Sequence, residues 1–171
     1  MSVSTGNSQD VPERLLDYRA DVGVLAQFSR DRRFLAVPYS EHPIVLLVPA
    51  GHRFAKRRSI RTAELAGEPL ILREQGSTTR KAFEAALKAA RLEPNVVMEI
   101  GSREILREAV VQGIGLAAVS EVEFVPGPGL HAVRISDTEA RTYAHVVCLG
   151  ERRDMRMVRS FFEVIDDQAR G

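Results

Sequence analysis

Residues 69–91 read PLILREQGSTTRKAFEAALKAAR, and the way this stretch divides decides the fold. Pro69, Leu70, Ile71 and Leu72 form an apolar run of strand length, whereas Phe83, Ala86, Leu87 and Ala90 recur at the spacing of one helix face. Between them stand Gly76, Ser77, Thr78 and Thr79, a glycine and three hydroxyls at the point where a strand hands over to a helix. Two readings of that junction stay open from the residues alone. Ser or Thr caps the first, unpaired N–H groups of a helix, an effect worth about 1 kcal/mol. The same N–H groups, at the positive end of the helix dipole, hold phosphate, sulfate or carboxylate when a glycine lets the anion approach. One hydroxyl suffices for a cap, so the other two are available.

Working outward, the unit recurs. Residues 96–99 read as a strand, 102–112 as a helix stopped by Gly113, and 116–119 as a strand, with Ile105, Leu106 and Val110 expected in the core. Upstream, residues 3–5 suggest a short strand. Asn7 or Ser8 then caps a helix with Pro12 in its first turn, Val11, Leu15 and Leu16 form its apolar face, and it fades near Tyr18. Residues 21–25 form a buried-looking strand. The run FLAVPYSEHPIVLLVPA over 34–50 contains Pro38 and Pro43, which predicts two strand segments or a crossing between lobes. Residues 62–65 make a helical turn closed by Gly67. Downstream, a turn at 126–129 leads to strands over 131–135 and 143–149. A final amphipathic helix over 154–168 should bury Met157, Val158, Phe161, Phe162 and Ile165. Strands alternating with helices of this length imply an α/β arrangement with a parallel sheet.

Composition narrows the function. The 171 residues are 44% hydrophobic and 27% charged, the balance of a soluble globular protein. No apolar run approaches the roughly 20 residues of a membrane-spanning helix, and the first residues carry no secretory pattern, so a cytoplasmic location is expected. Cys148 is the single cysteine, which leaves no disulfide or thiolate zinc site within one chain. A net charge of +1 lacks the basic excess of a dedicated nucleic-acid-binding domain. The basic cluster at His52, Arg53, Lys56, Arg57 and Arg58 reads as a solvated loop, with an anionic contact surface as the alternative.

Several motifs fail on context. Gly113-Ile114-Gly115-Leu116-Ala117-Ala118 has the letters of a dinucleotide fingerprint but closes a helix and opens a strand, the reverse of what that fingerprint needs. The four histidines are scattered without metal-ligand spacing. Ser120 stands beside Glu121 and Glu123 with no histidine near in sequence, so neither a triad nor any other enzyme constellation emerges. Glu99 and Glu104 flank a candidate ligand junction; either pairs with Arg103 or Arg73, or holds an amino group of a ligand. What does recur is the capped strand-to-helix junction, at Thr5-Gly6-Asn7-Ser8, at Gly76-Ser77-Thr78-Thr79 and at Ile100-Gly101-Ser102-Arg103. In open α/β sheets such junctions collect where ligands bind.

The order of these segments resembles the effector domain of LysR-type transcriptional regulators. MSVSTGNSQDVPERLLDYRADVGVLA resembles that domain's second strand, helix and third strand. HPIVLLVPAGHRFAKRRSIRTAELAGEPLILREQGSTTRKAFEAAL resembles its apolar strand, its P-x-x-H-x-x-A letters (here Pro49, His52 and Ala55), its ELAGEPLI turn and its Gly-Ser/Thr helix start. EIGSREILREAVVQGIGLAAVSE resembles its helix, glycine turn and strand. The resemblance implies a two-lobed fold like that of type II periplasmic binding proteins, with mixed, mainly parallel sheets and a cleft between lobes. Lobe one would take residues 1–43 plus 145–171, and lobe two residues 44–144. Thr5, Asn7 and Ser8 from lobe one, with Gln75, Ser77, Thr78 and Ser102 from lobe two, would then bind an effector. The family's winged helix-turn-helix and the first strand and helix of lobe one have no counterpart here, so DNA would be engaged only through a domain outside this chain. A homodimer or tetramer is implied by the resemblance.

No cofactor is expected. The hydroxyl-rich site suggests a small anion: a carboxylate, sulfate, phosphate or phosphonate. STGNSQ with REQGSTTR resembles regulators of aminoethylphosphonate use, which makes that compound the specific candidate. The alternative reading is a stand-alone solute-binding protein of the same fold.

Overall fold

Strand alternation sorts the core of the protein, seen in a computed structural model that describes residues 2–4, 10–26 and 31–169. Leu70 and Leu72 of β4 (Pro69–Arg73) point to one face of a sheet and Ile71 to the other, as the two-residue period of a strand requires. Ile44, Leu46 and Val48 of β2 (Phe34–Pro49) join the first face, and Val45 and Leu47 the second. Each face is then covered by one helix. α2 (Thr78–Ala89) buries Phe83 and Leu87 on the first, and α3 (Arg103–Val111) buries Leu106, Ala109 and Val110 on the second.

The chain divides into two compact units. Unit 1 is Met1–Glu41 with Tyr143–Gly171, and unit 2 is His42–Thr142. In unit 2 the strands run in the order β3 (Ser59–Ile60), β7 (Leu130–Ile135), β2, β6 (Leu116–Ser120), β4 and β5 (Asn95–Ile100). β4 is parallel to both β5 and β6, and β2 is antiparallel to β6 and β7, so the sheet is mixed. In unit 1, α1 (Asp10–Leu16) packs on a ladder of β1 (Gly23–Leu25) antiparallel to β8 (Arg141–Leu149), around Leu15, Leu25, Val147 and Leu149. α4 (Arg156–Ala169) follows, with Val158 and Ile165 buried.

Helix ends follow local chemistry. α3 stops at Gly113, whose φ of 75° suits a residue without Cβ, and the Ile114 N–H reaches back to the Ala109 carbonyl at 3.0 Å. Gly115 has a different task. A Cβ there would stand 2.8 Å from the Pro69 carbonyl oxygen, so this glycine lets β6 lie close to β4. The fingerprint letters at 113–118 are thus accounted for by a helix stop and a close strand approach.

Four expectations need correction. Residues 34–49 form one continuous strand rather than two segments, and it carries the chain from unit 1 into unit 2, as the alternative of a crossing had it; Pro38 and Pro43 both precede Ile44, where the β6 ladder begins, so neither removes a donor from it. Residues 2–4 are not in a strand, and Thr5 lies outside the described residues. Ile105 is 61% exposed, because it stands about 100° around the helix from Leu106, off the buried stripe. Met157 and Phe161 are exposed for the same reason: the buried face of α4 centres on Val158, Phe162 and Ile165, and they fall to one side of it. No helix among the described residues is long and apolar enough to cross a membrane.

Candidate functional site

The parallel pairing of β4 and β5 sets Arg73 opposite Ile100, so the two strands hand over to their helices side by side. After Arg73 the chain turns through Gly76, whose φ of +90° needs glycine, into Ser77, the N-cap of α2. The Ser77 hydroxyl accepts the Arg80 N–H at 3.4 Å, a long bond. After Ile100 the chain passes Gly101 into Ser102, the N-cap of α3. Its hydroxyl accepts the Ile105 N–H at 3.3 Å and donates to Glu104 Oε2 at 2.7 Å. The junctions touch: a Cβ at Gly101 would lie 3.8 Å from Glu74 Cβ.

The four candidate residues of unit 2 therefore share one edge of one sheet, in different states. Ser102 is committed to Ile105 and Glu104. Ser77 makes its cap. Gln75 is exposed and Thr78 half-buried, and neither side chain has a hydrogen-bond partner among the described residues. Thr79 turns inward and is buried. Thr5, Asn7 and Ser8 lie outside the described residues.

Charge at this edge is organised by two arginines that sequence reasoning did not place in the site. Arg73 ends β4 on the same face as Ile71, with its side chain only 9% exposed, and its guanidinium grips Glu74 with Nε at 2.9 Å and Nη2 at 3.0 Å. Arg80 is nearly as enclosed, bonded to Glu84 Oε1 at 2.8 Å, to the Arg73 carbonyl at 2.8 Å and to Glu99. The signal for Arg80 was present, an Arg-Glu pair at helical i, i+4 spacing. Glu99 thus pairs with Arg80 rather than with Arg103 or Arg73. Glu104 is held below the usual carboxylate range, first by the Ser102 hydroxyl and also by Arg103 and Arg73.

Other candidates resolve as scaffold. Arg53 pairs with Glu68, Arg57 with Glu64, and Arg53 lies 4.5 Å over the buried Phe54 ring, so much of the basic cluster is neutralised locally. His52 accepts the Phe54 N–H at Nδ1, 3.3 Å, which directs its Nε2 to Glu68 at 3.2 Å. Ser120 is buried and receives a 2.7 Å hydrogen bond from the Thr142 hydroxyl. No cluster of metal-ligating side chains occurs among the described residues.

A family model described as the LysR substrate binding domain matches residues 1–170. The HTH-type transcriptional activator CmpR of Synechocystis sp. is 34% identical over 132 residues, 75% of this chain and 43% of CmpR. The HTH-type transcriptional regulator CysL of Bacillus subtilis is 30% identical over 120 residues, 70% of this chain and 40% of CysL. The chain thus spans less than half the length of these curated relatives. Among solved structures, the regulatory domain of CcmR from Synechocystis PCC6803, in complex with 2-PG, matches with a TM-score of 0.82 at 21% identity. That match covers 96% of this chain and 80% of the other. At such identity the likeness is one of fold, the two-lobed α/β fold of the type II periplasmic-binding-protein class.

Proposed function

We propose, from the premise that this chain belongs to the family of LysR substrate-binding domains, that it senses a small anion at the paired helix starts of unit 2. As an effector-binding domain its task is ligand sensing, and its relatives are transcription regulators rather than enzymes. The observation that carries the anionic reading is the juxtaposition of two serine-capped helix starts at adjacent parallel strand ends, with Gln75 and Thr78 unengaged beside them. Helix N-termini favour negative charge, and free hydroxyl and amide groups fix its oxygens. The fold likeness to a domain solved with 2-PG, a phosphorylated acid, supports a phosphate or carboxylate class.

The reading includes Thr5, Asn7 and Ser8, to be tested by substitution. Aminoethylphosphonate stays within it as one phosphonate among several; its amino group would compete with Arg80 for Glu99 or with Ser102 for Glu104. Occupancy would be passed to DNA-binding domains of the same regulator, acting as a homodimer or tetramer in the cytoplasm. An effector drives such a switch only as far as its affinity differs between the two states.

The test is thermal unfolding against sulfate, phosphate, 2-phosphoglycolate, aminoethylphosphonate, shikimate and an amino acid. A ligand at a hundred times its Kd adds about 2.7 kcal/mol, a shift of several degrees for a domain of this size. A shift by phosphorylated or carboxylate compounds that is lost on changing Thr78 supports the reading. Stabilisation by neutral or apolar compounds alone would replace it.

A further inference from the structure

Glu74 is paired with Arg73 beside the two helix starts of unit 2. Its carboxylate forms a two-pronged ion pair with Arg73, at 2.9 and 3.0 Å, the geometry by which a guanidinium recognises any planar carboxylate or phosphate. Its Oε2 lies 4.0 Å from where a Cβ of Gly101, the residue before the N-cap of α3, would stand. The partners are held unequally. The Arg73 side chain is 9% exposed and fixed at the end of a central strand, whereas that of Glu74 is 43% exposed. Being next to each other in sequence, the two separate by side-chain rotation alone, without moving the backbone. A buried guanidinium with no anion is costly, and a half-solvated carboxylate is the element free to leave.

We propose that Glu74 is an internal stand-in for the effector: it neutralises Arg73 in the empty site and is displaced by an incoming phosphate or carboxylate. This rests on the anion site proposed above and adds its regulation. Ligands of higher negative charge then exchange with Glu74 more readily than monoanionic ones. The resting affinity is set by the competition between two carboxylate-like groups for one guanidinium, in addition to the contacts at Ser77 and Thr78.

The experiment is calorimetric titration of inorganic phosphate and of 2-phosphoglycolate into the full chain and its variants. Glu74→Gln keeps the shape and removes the competitor's charge; Glu93→Gln removes the same charge beyond the far end of α2, and a circular dichroism melt checks that each variant folds. The expected result is about tenfold tighter binding, about 1.4 kcal/mol, in Glu74→Gln and an unchanged Kd in Glu93→Gln. Binding seen only in Glu74→Gln would support the proposal equally. Equal gains in both variants would reduce the effect to net charge and overturn it. Wild-type binding that Thr78→Val abolishes but Glu74→Gln leaves unchanged would overturn the stand-in and keep the anion site. No binding by any variant would overturn both.

Discussion

Thr78 and Ser77 differ by one position and by what their hydroxyls already do. Ser77 is spent in part on the Arg80 N–H, whereas Thr78 has no partner among the described residues. Replacing both, as Ser77→Ala with Thr78→Val, should weaken phosphate or 2-phosphoglycolate binding by about 2 kcal/mol or more, since bonds to a charged group are worth about 1.5–3 kcal/mol each. Calorimetry that returns the wild-type Kd would confine both residues to capping. The serine caps were legible because hydroxyl plus glycine at a strand-to-helix border has few other uses. Arg73 was not, because a charge after PLIL also fits a solvent-facing strand end, and only the packing of α3 decides its side. Asp137 makes a residue-scale prediction of another kind. It accepts the backbone N–H and the hydroxyl of buried Thr62, both at 2.8 Å, and these bonds, the backbone one foremost, hold its carboxyl below the usual range. A depressed folded-state pKa stabilises above the unfolded value near 4 and is lost as pH falls through the folded value. Urea midpoints of wild type and Asp137→Asn should therefore converge as pH falls below about 4; a constant gap would show that the clasp carries no pH dependence.

At the scale of elements, α3 separates what periodicity shows from what it leaves open. Leu106, Ala109 and Val110 fall within about 100° of helix surface and are buried, while Ile105 lies beyond that arc and is exposed. A list of apolar letters near helical spacing includes all of them; only the angular sum excludes Ile105. Leu106→Ala should therefore cost about 2–5 kcal/mol, the range for a buried large-to-small change, whereas Ile105→Ser should stay within about 0.5 kcal/mol. Denaturant midpoints at unchanged slope check both, and a large loss at Ile105 would mean that its surface is covered in solution. β2 gives the opposite lesson. Pro38 and Pro43 suggested a break, yet both sit ahead of Ile44, so the donors they lack are not needed in the β6 ladder. Proline removes one donor at its own position and does not by itself end a strand, as Pro49, paired with Leu130 of β7, also shows.

At the scale of the molecule, the units differ in how much core each assembles from the described residues. Unit 2 buries two clusters, one on each sheet face, including Phe54, Phe83, Leu70 and Leu116 on one and Ile71, Leu106 and Val110 on the other. Unit 1 gathers a smaller one around Leu15, Leu25, Val147 and Leu149. Local opening follows buried apolar contact, so unit 1 should open at lower free energy than unit 2. Cys148 reports this directly. It lies in β8, fully buried, and burial raises its thiol pKa, so an alkylating reagent reaches a reactive thiolate only through opening. Its labelling rate should give an opening free energy below that from hydrogen exchange at the amides of Leu70, Ile71, Ala117 and Ala118, which lie in central strands of unit 2. Adding phosphate then separates two extents of the site. Protection of the unit 2 amides with Cys148 labelling unchanged would confine the anion to the β4 and β5 junctions. Equal slowing of both would show that stabilisation by the anion is not confined to those junctions, because a ligand stabilises only the folded segments it contacts or couples.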